Sequence, residues 1–179
     1  MKMRRLALVA GVATLSAVAF SPKAQALDEN VDFSGNIPTI CNFNSTQNGL
    51  LEPDGNSERM EGSNGSVPGF NIGIAGETSL NCNGAALVSV STPARLSAPA
   101  GFNDPNRQAL LYDTGTSSVV TSASVGTDLW TSNPTSPFSI AANTNYTFRI
   151  PMNAGNAGSS GNVVPGIYQY RVTVTAAPN

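Results

Sequence analysis

Residues 27–41 read LDENVDFSGNIPTIC, and this stretch decides the fold class. Every second side chain in its middle is apolar or absent, at Val31, Phe33, Gly35 and Ile37. The residues between them, at positions 32, 34 and 36, are polar. A period of two is typical of a β-strand with one buried face. We therefore predict that residues 29–38 form an extended segment paired with a sheet, either their own sheet as an ordinary first strand or the sheet of another molecule.

The rest of the chain favours a β-sandwich. Short runs rich in Val, Ile, Thr, Phe and Tyr alternate with Gly, Asn, Pro and Ser, and no sustained helical periodicity follows residue 26. About seven such strands suit a sandwich. Two polar stretches, Asn44–Pro68 and Asn153–Asn162, are predicted as loops, the second as a mobile surface turn. The predicted strands are Val31–Phe43, Gly69–Ile74 with Thr78–Cys82, Ala85–Thr92, Gln108–Asp113, Ser118–Val125, Asn143–Met152 and Val164–Ala176.

Residues 1–26 have the pattern of a secretory signal peptide. A basic start is followed by an apolar run over residues 6–20 and by the small-x-small sequence Ala24-Gln25-Ala26. The predicted mature chain begins at Leu27. It contains no second apolar run of membrane-spanning length, so we expect no membrane insertion of the mature form.

Charge and composition after residue 26 exclude several classes of function. Five Arg, no Lys and eleven acidic residues give a net charge of −6, which is unsuited to nucleic acid or anionic lipid. The chain has no His, which excludes Ser-His-Asp and Cys-His catalysis and His-ligated metal sites. Without Lys, Schiff-base chemistry is excluded as well. We predict a protein that is not an enzyme and that holds no metal or cofactor, with carboxylate chemistry as the remaining route to catalysis.

Four acidic residues are the candidates for such carboxylate chemistry. Glu58 with Glu61, and Asp104 with Asp113, could form glycosidase-like pairs. The competing interpretation is that these residues are solvated charges on the surface of a sandwich. We favour the second interpretation because Glu58 and Glu61 lie in a polar stretch.

Two further segments have both a binding and a structural interpretation. Residues 101–106 (GFNDPN) offer oxygen ligands but lack the ordered spacing of a calcium loop, so a turn built by Asn, Asp and Pro is predicted. Trp130 could be a platform for stacking a ligand, and core packing is the interpretation that we favour.

The two cysteines, Cys41 and Cys82, both follow the predicted signal peptide. An even number of cysteines in an exported protein favours a disulfide, and two buried free thiols are the alternative. Closing a loop of this length stabilises the fold by about 4 kcal/mol in the chain-entropy treatment.

These features together resemble a known family. The spacing V-x-F-x-G-x-I followed by Cys41, a second cysteine 41 positions later, and the ending G-x-Y-x-x-x-V-x-V over residues 166–174 look like pilin subunits of the chaperone–usher pathway. The stretch Val164–Thr175 is similar to the secreted spore-coat-protein-U-like domains related to the archaic branch of that pathway. The resemblance covers nearly the whole chain after residue 26.

The resemblance implies an all-β, incomplete immunoglobulin-like sandwich that is completed by a donor strand from another subunit. In that family the groove left by the missing strand is filled first by a chaperone strand and then by the N-terminal extension of the next subunit. Residues 27–40 would be this donor-strand extension, and residues 41–179 the sandwich. The donor residues would be Val31, Phe33, Gly35 and Ile37, and a Cys41–Cys82 disulfide would join the first two strands.

The implied function is that of a structural subunit of an extracellular pilus or fimbria, polymerised by donor-strand exchange and mediating surface attachment or biofilm formation. The implied partners are identical or related pilin subunits, a periplasmic chaperone, an outer-membrane usher and a host or abiotic surface. The protein would be secreted through the periplasm to the cell surface. A secreted single-domain adhesin or carbohydrate-binding module is the alternative that the sequence leaves open.

Overall fold

The computed structural model describes residues 32–64, 71–127, 130 and 133–179. Within these ranges every regular element is a β-strand, which confirms the predicted all-β fold. The same ranges contain no helix with the length and apolarity needed to cross a membrane. The predicted signal peptide and Val31 lie outside the described residues. The strands are β1 (Cys41–Gln47), β2 (Glu52–Pro53), β3 (Arg59–Gly62), β4 (Gly76–Cys82), β5 (Ala86–Val90), β6 (Ala94–Ser97), β7 (Asn106–Asp113), β8 (Ser118–Val125), β9 (Phe138–Ile140), β10 (Asn145–Ile150), β11 (Met152–Gly155), β12 (Gln169–Arg171) and β13 (Val174–Pro178).

The larger layer is an antiparallel sheet of eight strands in the order β1-β4-β10-β7-β11-β3-β2, with β8 paired to β7. Strands β10 and β11 follow one another across Pro151, and both pair with β7. Proline has no N–H to donate, so the ladder is interrupted there. The Pro151 carbonyl still accepts a hydrogen bond from the Leu110 N–H at 3.0 Å, which keeps the two halves aligned on β7.

The smaller layer consists of a three-stranded sheet, β13-β5-β9, and a two-stranded sheet, β12-β6. Strands β5 and β6 are consecutive in one part of the chain, and β12 and β13 are consecutive in another. These two parts of the chain pair with each other twice, as β6 with β12 and as β5 with β13. The layers enclose one apolar core, and together they form the incomplete immunoglobulin-like sandwich that was predicted. The large side chains of this core that are fully buried are Leu80, Val88, Leu111, Ile140 and Phe148.

The first predicted strand is wrong in its boundaries. Residues 32–40 are not in a strand, and β1 instead covers Cys41–Gln47. The predicted loop Asn44–Pro68 therefore contains the end of β1 as well as β2 and β3. Polar residues are tolerated in β1 because it lies at a sheet edge and all but its first residue are exposed.

The second predicted loop, Asn153–Asn162, is also wrong at its start. Asn153 is fully buried in the middle of β11. At the other end the Asn162 amide donates to the Asn103 carbonyl at 2.7 Å and to the Glu58 carbonyl at 3.0 Å. The hydrogen bonds of Asn162 thus hold the end of this stretch in place, so it is not a free surface turn.

Two more predicted strands are shorter than expected. In the predicted strand Gly69–Ile74, the described residues contribute only a single bridge, between Ile74 and Leu50. The predicted strand Val164–Ala176 is divided into β12 and β13, and residues 164–168 are irregular. The period-two pattern identified these segments as extended, but it does not specify where the hydrogen-bonded ladder begins.

Candidate functional site

The candidate site is an open groove of about 980 Å³ between the edges of the two layers. One wall is formed by β1 and the residues that follow it, 48–51, and the other by residues 166–174. Among the described strands, β1 pairs only with β4, β12 only with β6 and β13 only with β5. Strands β1, β12 and β13 are therefore sheet edges with no described strand paired on their outer side, which is the feature that invites addition of another strand.

Large apolar side chains line this groove and remain about half exposed. They are Phe43, Leu50, Ile74 and Leu96, at 46% to 53% exposure. Contiguous apolar surface of this kind commonly marks an interaction site. Sequence reasoning missed Leu50 because it lies in the predicted loop Asn44–Pro68, and the signal that could have found it is the scarcity of large apolar residues in that polar stretch. Ile74 was predicted at the end of a strand, but its place in a groove was not predicted.

The C-terminal wall has the side-chain alternation of a strand that completes a core. Tyr168, Tyr170, Val172 and Val174 are half-buried, and residues 169, 171 and 173 between them are exposed. All of these residues line the groove. A strand laid along this wall would therefore meet an inward-facing row of aromatic and branched side chains and an outward-facing polar row.

Two tyrosines hold this wall in place. The Tyr168 hydroxyl donates to the Val164 carbonyl at 2.6 Å and accepts from the Val164 N–H at 3.0 Å. The Tyr170 hydroxyl donates to the Asp104 carboxylate, which also pairs with Arg95. Burial raises the pKa of Tyr170, so its hydroxyl stays protonated as a donor. Asp104, a candidate catalytic carboxylate from the sequence, thus supports the groove wall.

The Cys41–Cys82 disulfide is present, with an S–S distance of 2.04 Å, and it confirms the predicted bond. The two residues are directly opposite each other at the start of the β1–β4 ladder. Strand β1 also touches β13. The bond therefore fixes the edge strand β1 to the interior of the larger sheet.

Residues 38–40, which we call the arm root, are fastened to the turn after β4. The Ile40 N–H donates to Asn83 Oδ1 at 2.7 Å, and Asn83 Nδ2 donates to the Pro38 carbonyl at 3.2 Å. The Asn83 N–H donates to the Ile40 carbonyl at 3.0 Å. A Cβ on Gly84 would lie 2.6 Å from Thr39 Oγ1, so only glycine fits beneath the arm root.

The segment before the arm root carries the predicted donor residues. Contacts divide the chain between Asn36 and Ile37. Phe33 is 94% exposed and Ile37 is 84% exposed, and no atom lies within 4 Å of a Cβ built on Gly35. Val31 is not among the described residues. The side chains of Phe33 and Ile37 are thus almost fully exposed.

No protein-family model matches this chain, and no curated protein matches it.

The other candidate carboxylates are used within the fold. Glu61 is fully buried and pairs with Arg59, and burial raises the pKa of its carboxyl group against the opposing effect of that guanidinium. Glu58 accepts a hydrogen bond from the Gly158 N–H at 3.0 Å. Asp113 accepts hydrogen bonds from the turn that follows it. None of these contacts brings two carboxylates to a common open cleft.

Trp130 is 4% exposed, and its backbone N–H donates to Gln108 Oε1 at 3.0 Å. It is therefore buried, as we favoured, rather than exposed for stacking a ligand. In the parts of the chain that the structure describes, no three Asp, Glu, Cys or His side chains lie close enough together to hold a metal ion. Residues 101–106 form a turn that leads into β7.

Proposed function

We propose that this chain is a structural subunit of an extracellular pilus or fimbria. Residues 29–37, which we call the arm, lie as a β-strand in the groove of the next copy. The observation that carries the proposal is the groove between the unpaired edges of β1 and β12–β13, with half-exposed apolar side chains along it. The arm supplies what that groove lacks, namely a strand with one apolar face.

The lengths of the arm and the groove agree. The C-terminal wall extends from residue 166 to residue 174, which is about 30 Å at the rise of a β-strand. The arm has the same number of residues. It ends at Ile37 because the carbonyl of the next residue, Pro38, is already held by Asn83.

Insertion of the arm has a clear driving force. Burying Phe33 and Ile37 stabilises the joint by roughly 1.5–3 kcal/mol each, and ladder hydrogen bonds along both free edges add to this. Gly35 allows a close approach of the two backbones. The contact joins the arm of one copy to the groove of another, so it is head-to-tail and extends into a filament rather than closing into a dimer.

The same geometry supports the remaining parts of the proposal. A copy with an empty groove exposes two free strand edges and is prone to aggregate. A periplasmic chaperone that fills the groove with one of its own strands would prevent this aggregation until the subunit is assembled at an outer-membrane usher. The disulfide fits passage through an oxidising compartment. Trp130 does not support the alternative of a carbohydrate-binding module, because its side chain is buried and cannot stack against a sugar.

The test uses substitutions in the arm. Phe33→Asp places a charge in the apolar groove, and Gly35→Leu blocks close approach of the backbones. Both variants should be exported and should bind a peptide of residues 27–40, because their own grooves are intact. They should not donate, so the SDS-resistant ladder of wild-type oligomers on an unheated gel should be absent.

The matched control is Ser34→Asp, which adds the same charge at a position facing away from the groove. This variant should form the wild-type ladder. The proposal is wrong if Phe33→Asp polymerises like the wild type, or if deletion of residues 27–38 leaves the ladder unchanged.

A further inference from the structure

We infer that Arg171, on the exposed side of β12, fixes the register of the arm by pairing with Asp32 of a second copy. This inference rests on the proposed function and adds the residue pair that selects one alignment of the arm among several. The alignment matters because an arm shifted by two residues would still direct its apolar face into the groove.

Arg171 differs from the other arginines of the described chain. Arg59, Arg95 and Arg149 each pair with a carboxylate, and Arg107 donates to the Pro93 carbonyl at 3.1 Å. Arg171 lines the groove, is exposed, and forms no hydrogen bond or ion pair with any described residue. It is therefore a cation at the groove that is available to a partner from outside the chain.

The arm has the complementary charge. Residues 27–40 contain Asp28, Glu29 and Asp32 and no basic residue. Of these acidic residues, Asp32 lies within the alternating part of the arm, on the polar face. When the apolar face enters the groove, Asp32 lies on the same outward face as Arg171.

An antiparallel alignment places the two charges opposite each other. We adopt this direction because β12 is already antiparallel to β6 on its other side, and antiparallel pairs are the commoner kind. With Asp32 opposite Arg171, the inward-facing residues of the arm meet the inward row of the wall. The pairs are then Val31 with Val172, Phe33 with Tyr170, and Gly35 with Tyr168.

Side-chain size favours the same alignment. Gly35, which has no side chain, lies beside the ring of Tyr168, whose hydroxyl is already held by the backbone. Ile37 lies beside Gly166, which has no side chain to oppose it. In the alignment shifted by two residues, Asp32 would instead be opposite Thr173 and the charge pair would be lost.

The test is a charge-reversal cycle with peptides of residues 27–40. Labelled wild-type and Asp32→Arg peptides are added separately to the full chain carrying Phe33→Asp, which cannot donate its own arm, and the peptide concentration that half-saturates the groove is measured. Asp32→Arg in the peptide, or Arg171→Glu in the chain, should each raise that concentration about three- to tenfold. The two changes combined should restore it, and the differences should shrink at high salt.

The matched control is Thr173→Glu, the next outward-facing position on the same wall, which should not restore binding of the Asp32→Arg peptide. The register is wrong if Thr173→Glu restores binding of the Asp32→Arg peptide, or if Arg171→Glu does not restore it. Inhibition of ladder growth by the wild-type peptide would in that case still support the proposed function. If the wild-type peptide does not slow ladder growth of the wild-type chain at any concentration, both the register and the proposed function are wrong.

Discussion

The two margins of the larger sheet differ in how far other parts of the chain cover them. At the β7–β8 margin, Pro134 and Trp130, from the described part of the connection between β8 and β9, contact β8 and β7. Ser122 Oγ donates to the Pro134 carbonyl at 2.9 Å, and the Trp130 N–H donates to Gln108. As a result, residues 108–111 of β7 are buried on both faces, including the polar Gln108.

At the opposite margin the chain leaves apolar side chains uncovered. Phe43 on β1 is 46% exposed, and Ile74, which is bridged to Leu50 just after β1, is 52% exposed. The difference shows that the chain can cover a sheet margin where its sequence provides a connection for that purpose. The open groove is a specific feature of the fold rather than a consequence of too little chain.

The largest effect is expected at the covered margin. Trp130→Ala removes a buried aromatic side chain and should lower the free energy of unfolding by about 3–5 kcal/mol, because the cavity left behind cannot be filled. Urea denaturation measures the loss. The groove is distant from this margin in the sheet order, so chains that stay folded should still form the SDS-resistant ladder. A loss below about 1 kcal/mol would show that this connection does not cover β7 as described.

A matched pair of substitutions compares the groove with the covered margin. Leu96→Asp in the groove and Val125→Asp on β8 both alter a side chain that is at least 40% exposed. Each should change the free energy of unfolding by less than about 1 kcal/mol. Only Leu96→Asp should prevent a chain from accepting an arm, which is measured by mixing each variant with labelled wild-type peptide 27–40. Equal binding of the peptide to both variants would contradict the assignment of the groove.

The smallest effect concerns the pH dependence of stability. Burial raises the pKa of Glu61 above its ordinary value of 4.5, so the folded protein binds this proton more tightly than the unfolded chain. The contribution of Glu61 is therefore fully present below pH 4.5 and is lost as the pH rises through the folded-state pKa. Glu61→Gln should remove this decline from unfolding curves measured across that window. Glu52→Gln, at an exposed position on β2, is the control and should retain the decline in stability because Glu61 is intact. If the decline persists in Glu61→Gln, another group is responsible for it.

Composition and periodicity were sufficient to predict the all-β class, the disulfide and most strands of the core, because Val, Ile, Phe and Tyr in alternation require a buried face. They failed where polar residues are buried or lie in an edge strand. Glu61 and Asn153 read as loop residues, yet both are buried in strands that pair with each other. No local pattern indicates such a pairing, since it depends on contacts between residues far apart in the chain.

The groove was predictable only in part. The alternation in residues 168–174 and the exposed polar positions between them follow from sequence, and so does the apolar face of the arm. The other wall does not, because β1 has no apolar periodicity and its position is fixed by pairing with β4. The arm root was likewise not predictable, because its hydrogen bonds depend on Asn83, more than forty residues along the chain.

The arm root also determines where a pulling force enters the subunit. In a fibre assembled as proposed, tension reaches each subunit through Ile37 and passes next into residues 38–40, where Asn83 holds the chain. One residue further on, the covalent Cys41–Cys82 bond carries the load directly into β4, which is flanked by β1 and β10. Strand β1 is thereby bypassed, so a load along the fibre would not unzip this edge strand from its first residue, and the groove that β1 borders would keep its shape under tension.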